Sequence, residues 1–197
     1  MKIEYRKADI ADAELLIEIY NSAFYSDYIK YGECPAYGKT KEMMEKSIIN
    51  YPKFIILHND KPVGCISCKL VGEGIYEVGC LCVVPEYQGK GIGTQALQFV
   101  KSHYEDWDKF TLITPLDKEE NVRFYTEKCG FDIMSTEMDG NVKVARFVYE
   151  KDCTYEKAYK KRNRRLSSAR LRIAGRTDKV RQGTSHRQLP HGYDGME

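Results

Sequence analysis

One stretch carries most of the chemistry. Tyr76–Thr94 reads YEVGCLCVVPEYQGKGIGT, an apolar run closed by Pro85 and followed by Gln88-Gly89-Lys90-Gly91-Ile92-Gly93-Thr94, which leads straight into a helical pattern. Glycines let the backbone pass close to a bulky anion, with successive N–H groups turned into one concavity. The helix start behind them adds its partial positive charge. The ligand implied is a phosphate or pyrophosphate, with Lys90 nearby to supply full charge. Two familiar phosphate loops do not fit. A P-loop ends in Gly-Lys-Ser/Thr, whereas Gly91 follows Lys90; the dinucleotide fingerprint is G-x-G-x-x-G, whereas Gly89, Gly91 and Gly93 are spaced by two.

The other reactive residue types form no competing centre. Cys65-x-x-Cys68 and Cys80-x-Cys82 suggest zinc at first sight, but residues three apart on a strand face opposite sides, so no metal is expected. A cysteine nucleophile would want a histidine partner; only His58 and His103 fall in the first 150 residues, neither in a recognisable signature. The seven cysteines, odd in number and without a secretion signal, read as reduced thiols, and the charged N-terminal residues point to the cytoplasm. No run of 18 or more apolar residues exists to span a bilayer.

These residues need a scaffold, and the pattern supplies an alternating one. Ile3–Lys7 reads as a strand; Asp9 or Asp12 caps a helix with the stripe Leu15, Leu16, Ile19, Tyr20 and Phe24. Residues 25–39, with Gly32, Pro35 and Gly38 among four tyrosines, read as an irregular aromatic loop. A second helix starts at Thr40 with Met43, Met44, Ile48 and Ile49 as its apolar face. Three antiparallel strands follow at Phe54–His58, Pro62–Leu70 and Ile75–Val84, then a helix over Thr94–Tyr104 and a strand over Lys109–Thr114. The helix Lys118–Lys128, capped by Gly130, precedes a hairpin of Phe131–Glu137 and Val142–Glu150 turning at Asp139-Gly140-Asn141. The order β-α-α-β-β-β-α-β-α-β-β implies an α/β (α+β) fold with helices covering a mixed sheet.

With both element order and loop in view, the chain resembles the GNAT superfamily of N-acyltransferases. Gln88-x-x-Gly91-x-Gly93 after an apolar strand is similar to its acyl-CoA pyrophosphate motif. Asn121-x-x-x-Tyr125-x-x-x-Cys129-Gly130-Phe131 resembles its second motif, and Tyr20-Asn21-Ser22-Ala23-Phe24 its N-terminal segment. The resemblance covers roughly residues 3–150. It implies a GNAT-like mixed sheet of about six to seven strands flanked by about four helices, and acetyl-CoA as co-substrate.

The resemblance also implies roles. The backbone of Leu81, Cys82 and Val83 pairs with the pantetheine arm at a bulge, and an N–H there polarises the thioester carbonyl. Gln88, Gly89, Lys90, Gly91, Gly93 and Thr94 hold the pyrophosphate. Asn121 bonds the arm and Tyr125 protonates the departing thiolate; four apart, they share a helix face. Glu77 is the candidate base for the amine, eleven residues before Gln88, where some histone-type members carry a catalytic glutamate. The region between the first two helices walls the acceptor cleft in the family, which makes Tyr28, Tyr31 and Tyr37 candidates for binding the acceptor; packing of the loop on the sheet is the equal alternative.

Charge separates this domain, 1–152, from the remainder of the chain. Residues 1–150 carry 18 Lys and Arg against 24 Asp and Glu, a net −6, whereas residues 151–197 carry 13 against 5, a net +8. Poor in apolar residues, 153–197 reads as a basic, flexible tail. The first reading is an N-acetyltransferase that moves acetyl directly from acetyl-CoA to an amine of a small molecule or protein. The alternative is a non-catalytic acyl-CoA-binding module whose tail docks on nucleic acid or another acidic partner. No membrane contact is expected, nucleic acid only through the tail, and a homodimer is compatible with either reading.

Overall fold

A chain whose apolar residues alternate every two positions in seven segments, and every three to four in four others, must bury sheet faces under helices. The computed structural model describes residues 2–151; the basic segment 153–197 lies outside them. Seven strands form one sheet in the order β1-β2-β3-β4-β5-β7-β6. They are β1 (Ile3–Lys7), β2 (Lys53–His58), β3 (Lys61–Gly72), β4 (Ile75–Val83), β5 (Lys109–Pro115), β6 (Asp132–Asp139) and β7 (Val142–Glu150). All neighbours are antiparallel except β4 and β5, whose parallel pairing requires a crossover. That crossover is α3 (Ile92–His103).

The turns explain the meander. Asn59 and Asp60 both take positive φ, 49° and 64°, as a two-residue hairpin turn demands, and Gly140 takes φ 56° between β6 and β7. The remaining helices are α1 (Ala13–Tyr31), α2 (Lys41–Asn50) and α4 (Glu119–Arg123), which runs on into a π-helical turn over Phe124–Lys128.

The sheet has two differently covered faces. On one, Leu97, Val100, Phe110, Tyr125, Phe131 and Phe147 pack as the larger core under α3 and α4. On the other, Leu16, Ile19, Tyr20, Met44, Ile48 and Ile55 form a smaller core under α1 and α2. Cys65 belongs to the second and Cys68 to the first, so the two thiols do lie on opposite faces.

Two expectations are corrected. The first helix does not stop before Tyr25: it runs to Tyr31 and ends where Gly32 adopts φ 75°, so Tyr25, Tyr28 and Tyr31 are helical and only residues 32–39 loop. Tyrosine is no helix breaker; the turn signals begin at Gly32. On α2 only Met44 and Ile48 are buried, whereas Met43 and Ile49 are exposed. Its Thr40 caps as expected, accepting from the Met43 N–H at 3.3 Å.

Candidate active site

β4 and β5 set the geometry. They pair at only three positions, Ile75–Lys109, Tyr76–Phe110 and Glu77–Thr111. Beyond Glu77 the strands are no longer paired, and β4 carries a bulge at Gly79, where its register to β3 slips between the pairs Cys68–Val78 and Ser67–Cys80. A Cβ on Gly79 would sit 2.8 Å from the Tyr51 ring, so only glycine fits there. The outcome is a strand whose backbone is free on one side from Val78 on, a gap that a ligand's own amides can fill.

A cavity of about 590 Å³ opens at this gap, on the α3/α4 face. Leu81 and Val83 line one wall; Asn121, Phe124, Tyr125 and Lys128 line the other; Gln88, Gly89, Gly91, Gly93 and Thr94 form the end at the α3 N-terminus. Gly89 and Gly91 take φ 71° and 76° with open space where a side chain would stand. Gly91 caps α3 without a side chain, and the first turn holds no acidic residue, so its N–H groups remain for an anion. Gly93 has a different duty. A Cβ there would lie 3.0 Å from the Phe124 ring, so the glycine lets α4 close on α3.

Gln88 and Lys90 serve the loop in other ways than the sequence suggests. The Gln88 amide donates to the Val83 carbonyl at 2.8 Å, pinning the loop to the strand end. Lys90 is exposed with its ammonium 4.8 Å from the Tyr87 ring centroid, and does not line the cavity. The cations that do line it are Arg123, paired with Glu119 at 3.1 Å, and Lys128. Sequence reasoning passed over both, although Lys128 stands seven positions after Asn121 and therefore on the same helix face.

Asn121 and Tyr125 come together as expected. The Asn121 amide donates to Thr114 Oγ1 of β5 at 3.0 Å, which fixes the side chain at the gap. Tyr125 is buried among Phe124, Phe131 and Phe147, with ring centroids 5.0, 5.9 and 5.6 Å away. Burial, and then the neighbouring Cys80, hold its phenol well above the ordinary tyrosine value, so it stays protonated with an O–H to donate. The π turn, closed by the Cys129 N–H on the Phe124 carbonyl at 3.1 Å, widens the helix at this position.

The α1/α2 face of the gap holds the other candidates. Glu77 sits at the last β4–β5 pair, outside the cavity, and accepts a short 2.5 Å hydrogen bond from the Tyr51 hydroxyl. Burial, then this carboxylate, push the Tyr51 phenol up to about 12. Tyr28 and Tyr37 stack on each other, centroids 4.6 Å apart and 15° from parallel, while Tyr31 donates to Asp117 at 2.7 Å. Lys118 bridges to Asp27 at 2.6 Å, which clamps α1 to the β5–α4 connection. Cys82 turns its thiol into the α1/α2 core, so only its backbone faces the gap.

A strand that parts from its neighbour beside a glycine-built helix start, with an Asn and a Tyr across the gap, is matched by known proteins. The model of the acetyltransferase (GNAT) family matches residues 14–131. The chain belongs to this family. An uncharacterised Bacillus subtilis (strain 168) protein, YrkN, is 38% identical over 80 residues, 40% of this chain and 43% of that protein, so the match spans less than half the relative's length. An acetyltransferase from Thermus thermophilus superposes with a TM-score of 0.63 at 18% identity, covering 77% of this chain and 98% of that one. A PaiA N-acetyltransferase from Thermoplasma acidophilum, solved in complex with coenzyme A, gives 0.59 at 23%, covering 76% and 100%. The chain thus shares the fold of these acetyltransferases. No helix among its described residues is long and apolar enough to cross a membrane.

Proposed function

We propose that the protein transfers acetyl from acetyl-CoA directly to an amine of a small molecule or protein. The observation that carries this reading is the buried Tyr125, set on the wall opposite Leu81 and Val83 in a cavity whose end is the uncapped α3 N-terminus. A protein that only bound acyl-CoA would have no use for a protonated phenol there.

The residues present fit the co-substrate. The helix start and Lys128 suit a pyrophosphate, the unpaired edge of β4 at Leu81, Cys82 and Val83 suits the amides of the pantetheine arm, and Asn121 suits its carbonyls. The thioester supplies an activated acyl carbon. Everything else falls to this chain. A backbone N–H of β4 beyond the bulge donates to the carbonyl oxygen as charge develops on it. Tyr125 donates its O–H to the departing sulfur. Because its phenolate is costly in these surroundings, the proton lost by the attacking nitrogen must return to restore it. Glu77, across the gap on the acceptor face, takes that nitrogen's proton through the carboxylate oxygen that Tyr51 leaves free. Tyr28 and Tyr37 offer their outer ring faces to the acceptor. Acetyl-CoA incubated with a panel of amines tests the reading: amine-dependent release of free thiol supports it, and binding of acetyl-CoA without release on any amine would favour the binding module.

A further inference from the structure

One group of side chains on the acceptor face is left over by this mechanism. Lys53 is only 2% exposed and has no carboxylate partner among the described residues. Its strand position aligns with Ser67, and Ser67 with Cys80. Tyr20, 3% exposed, has its hydroxyl buried without a nitrogen or oxygen partner among the described residues, next to the thiols of Cys65 and Cys80. A buried ammonium and a buried hydroxyl donor that converge on one spot call for an anion. The group available is Cys80, half-buried where Cys65, Cys68 and Cys82 are fully buried.

Place strengthens the case. Cys80 immediately follows the Gly79 bulge, so it is the first residue of β4 beyond the bulge to present a side chain to the α1/α2 face. Its neighbour Leu81 lines the cavity on the opposite face. With β5 no longer paired here, no main-chain hydrogen bonds close the sheet between the two faces.

We propose that Cys80 is an acyl-accepting nucleophile on the acceptor side of the β4–β5 gap, taking the acyl group from bound acyl-CoA when no amine stands in its place. The neighbouring Cys82 thiol, then Tyr20 and the Lys53 charge, hold the Cys80 thiol below its ordinary value while the other three stay above theirs. In the step, the Cys80 thiolate attacks the thioester carbon, a new C–S bond forms and the C–S bond to CoA breaks. The departing CoA sulfur takes the Tyr125 hydroxyl proton, and the proton that Cys80 gave up returns through solvent to restore that phenol. One thioester replaces another, so no oxidant or reductant is needed and excess CoA thiol reverses it.

The inference rests on the acyl-CoA reading, and its test separates the two. The full-length protein is incubated with acetyl-CoA without amine, and intact-mass and fragment-ion spectra are recorded, with acetyl-CoA binding measured by calorimetry on the same sample. The expected result is one added acetyl group on Cys80, removed by hydroxylamine or excess CoA, lost in Cys80→Ser and kept in Cys34→Ser. Binding without an adduct, or an adduct on another residue of the wild-type chain, overturns the role of Cys80 alone. Absence of binding overturns the acyl-CoA reading and this inference with it.

Discussion

The two faces of β4 are built on opposite rules. Toward α3 and α4, the wall is backbone and glycine: free N–H groups, an uncapped helix start, and side chains that mostly leave space open. Toward α1 and α2, several side chains are held by one another, Glu77 by Tyr51, Tyr31 by Asp117, Asp27 by Lys118 and the Tyr28 ring by that of Tyr37. The contrast teaches that one face is shaped for a ligand common to a family, read by main chain, and the other for a particular acceptor, read by side chains. Changes on the first face are expected to act on acyl-CoA and those on the second on the amine.

The largest effect should come from the residue at their junction. Tyr125→Phe is expected to lower turnover by about 100-fold while the Kd for acetyl-CoA, measured by calorimetry, stays within a factor of a few. Next is Gly93→Val, whose branched carbon would meet the Phe124 ring placed 3.0 Å from a Cβ there. Overpacking of roughly 1–3 kcal/mol should push α4 off α3 and weaken acetyl-CoA binding about tenfold or more, with the amine KM unmoved.

On the other face, Glu77→Gln is expected to reduce kcat about tenfold with unchanged acetyl-CoA affinity, and Tyr51→Phe, which removes only the 2.5 Å bond, to do less. A matching loss of acetyl-CoA affinity in either variant would break the division between the faces.

The smallest expected effect concerns stability. Lys101 lies half-buried with its ammonium 3.1 Å from the Tyr149 ring centroid, and burial lowers it from 10.5 to about 8 despite that ring's attraction. Between those values the unfolded chain binds the extra proton, so stability should rise with pH from about 8 to 10. Thermal melts of Lys101→Met should lose that rise and show a gain at neutral pH of about 1 kcal/mol, allowing for partial exposure.

How much of this was legible in the sequence depends on the same divide. Backbone features announce themselves: glycine spacing, the Pro85 break and the Asn121/Tyr125 interval each required a conformation that the structure shows. The acceptor face did not, because its pairings are long-range. Nothing in local pattern links Tyr51 to Glu77 or Tyr31 to Asp117, and the aromatic run that reads as a loop is helix up to Tyr31 because glycine first appears at position 32. Lys90 shows a similar limit: the sequence sets its charge beside the glycine loop, and only the fold shows its ammonium over the Tyr87 ring. Lys53 and Tyr20 gave no signal at all, since a lysine in an apolar strand and a tyrosine on an amphipathic helix become unusual only when burial removes their partners.

The central claim is that Tyr125 faces a reacting thioester and not merely a bound one. Thiol release from acetyl-CoA, followed with the most active amine of the panel in wild type and Tyr125→Phe at saturating acetyl-CoA, tests it most directly. Amine-dependent release in the wild type is predicted to fall about 100-fold in the variant, with acetyl-CoA binding preserved. Equal rates in the two proteins would contradict it.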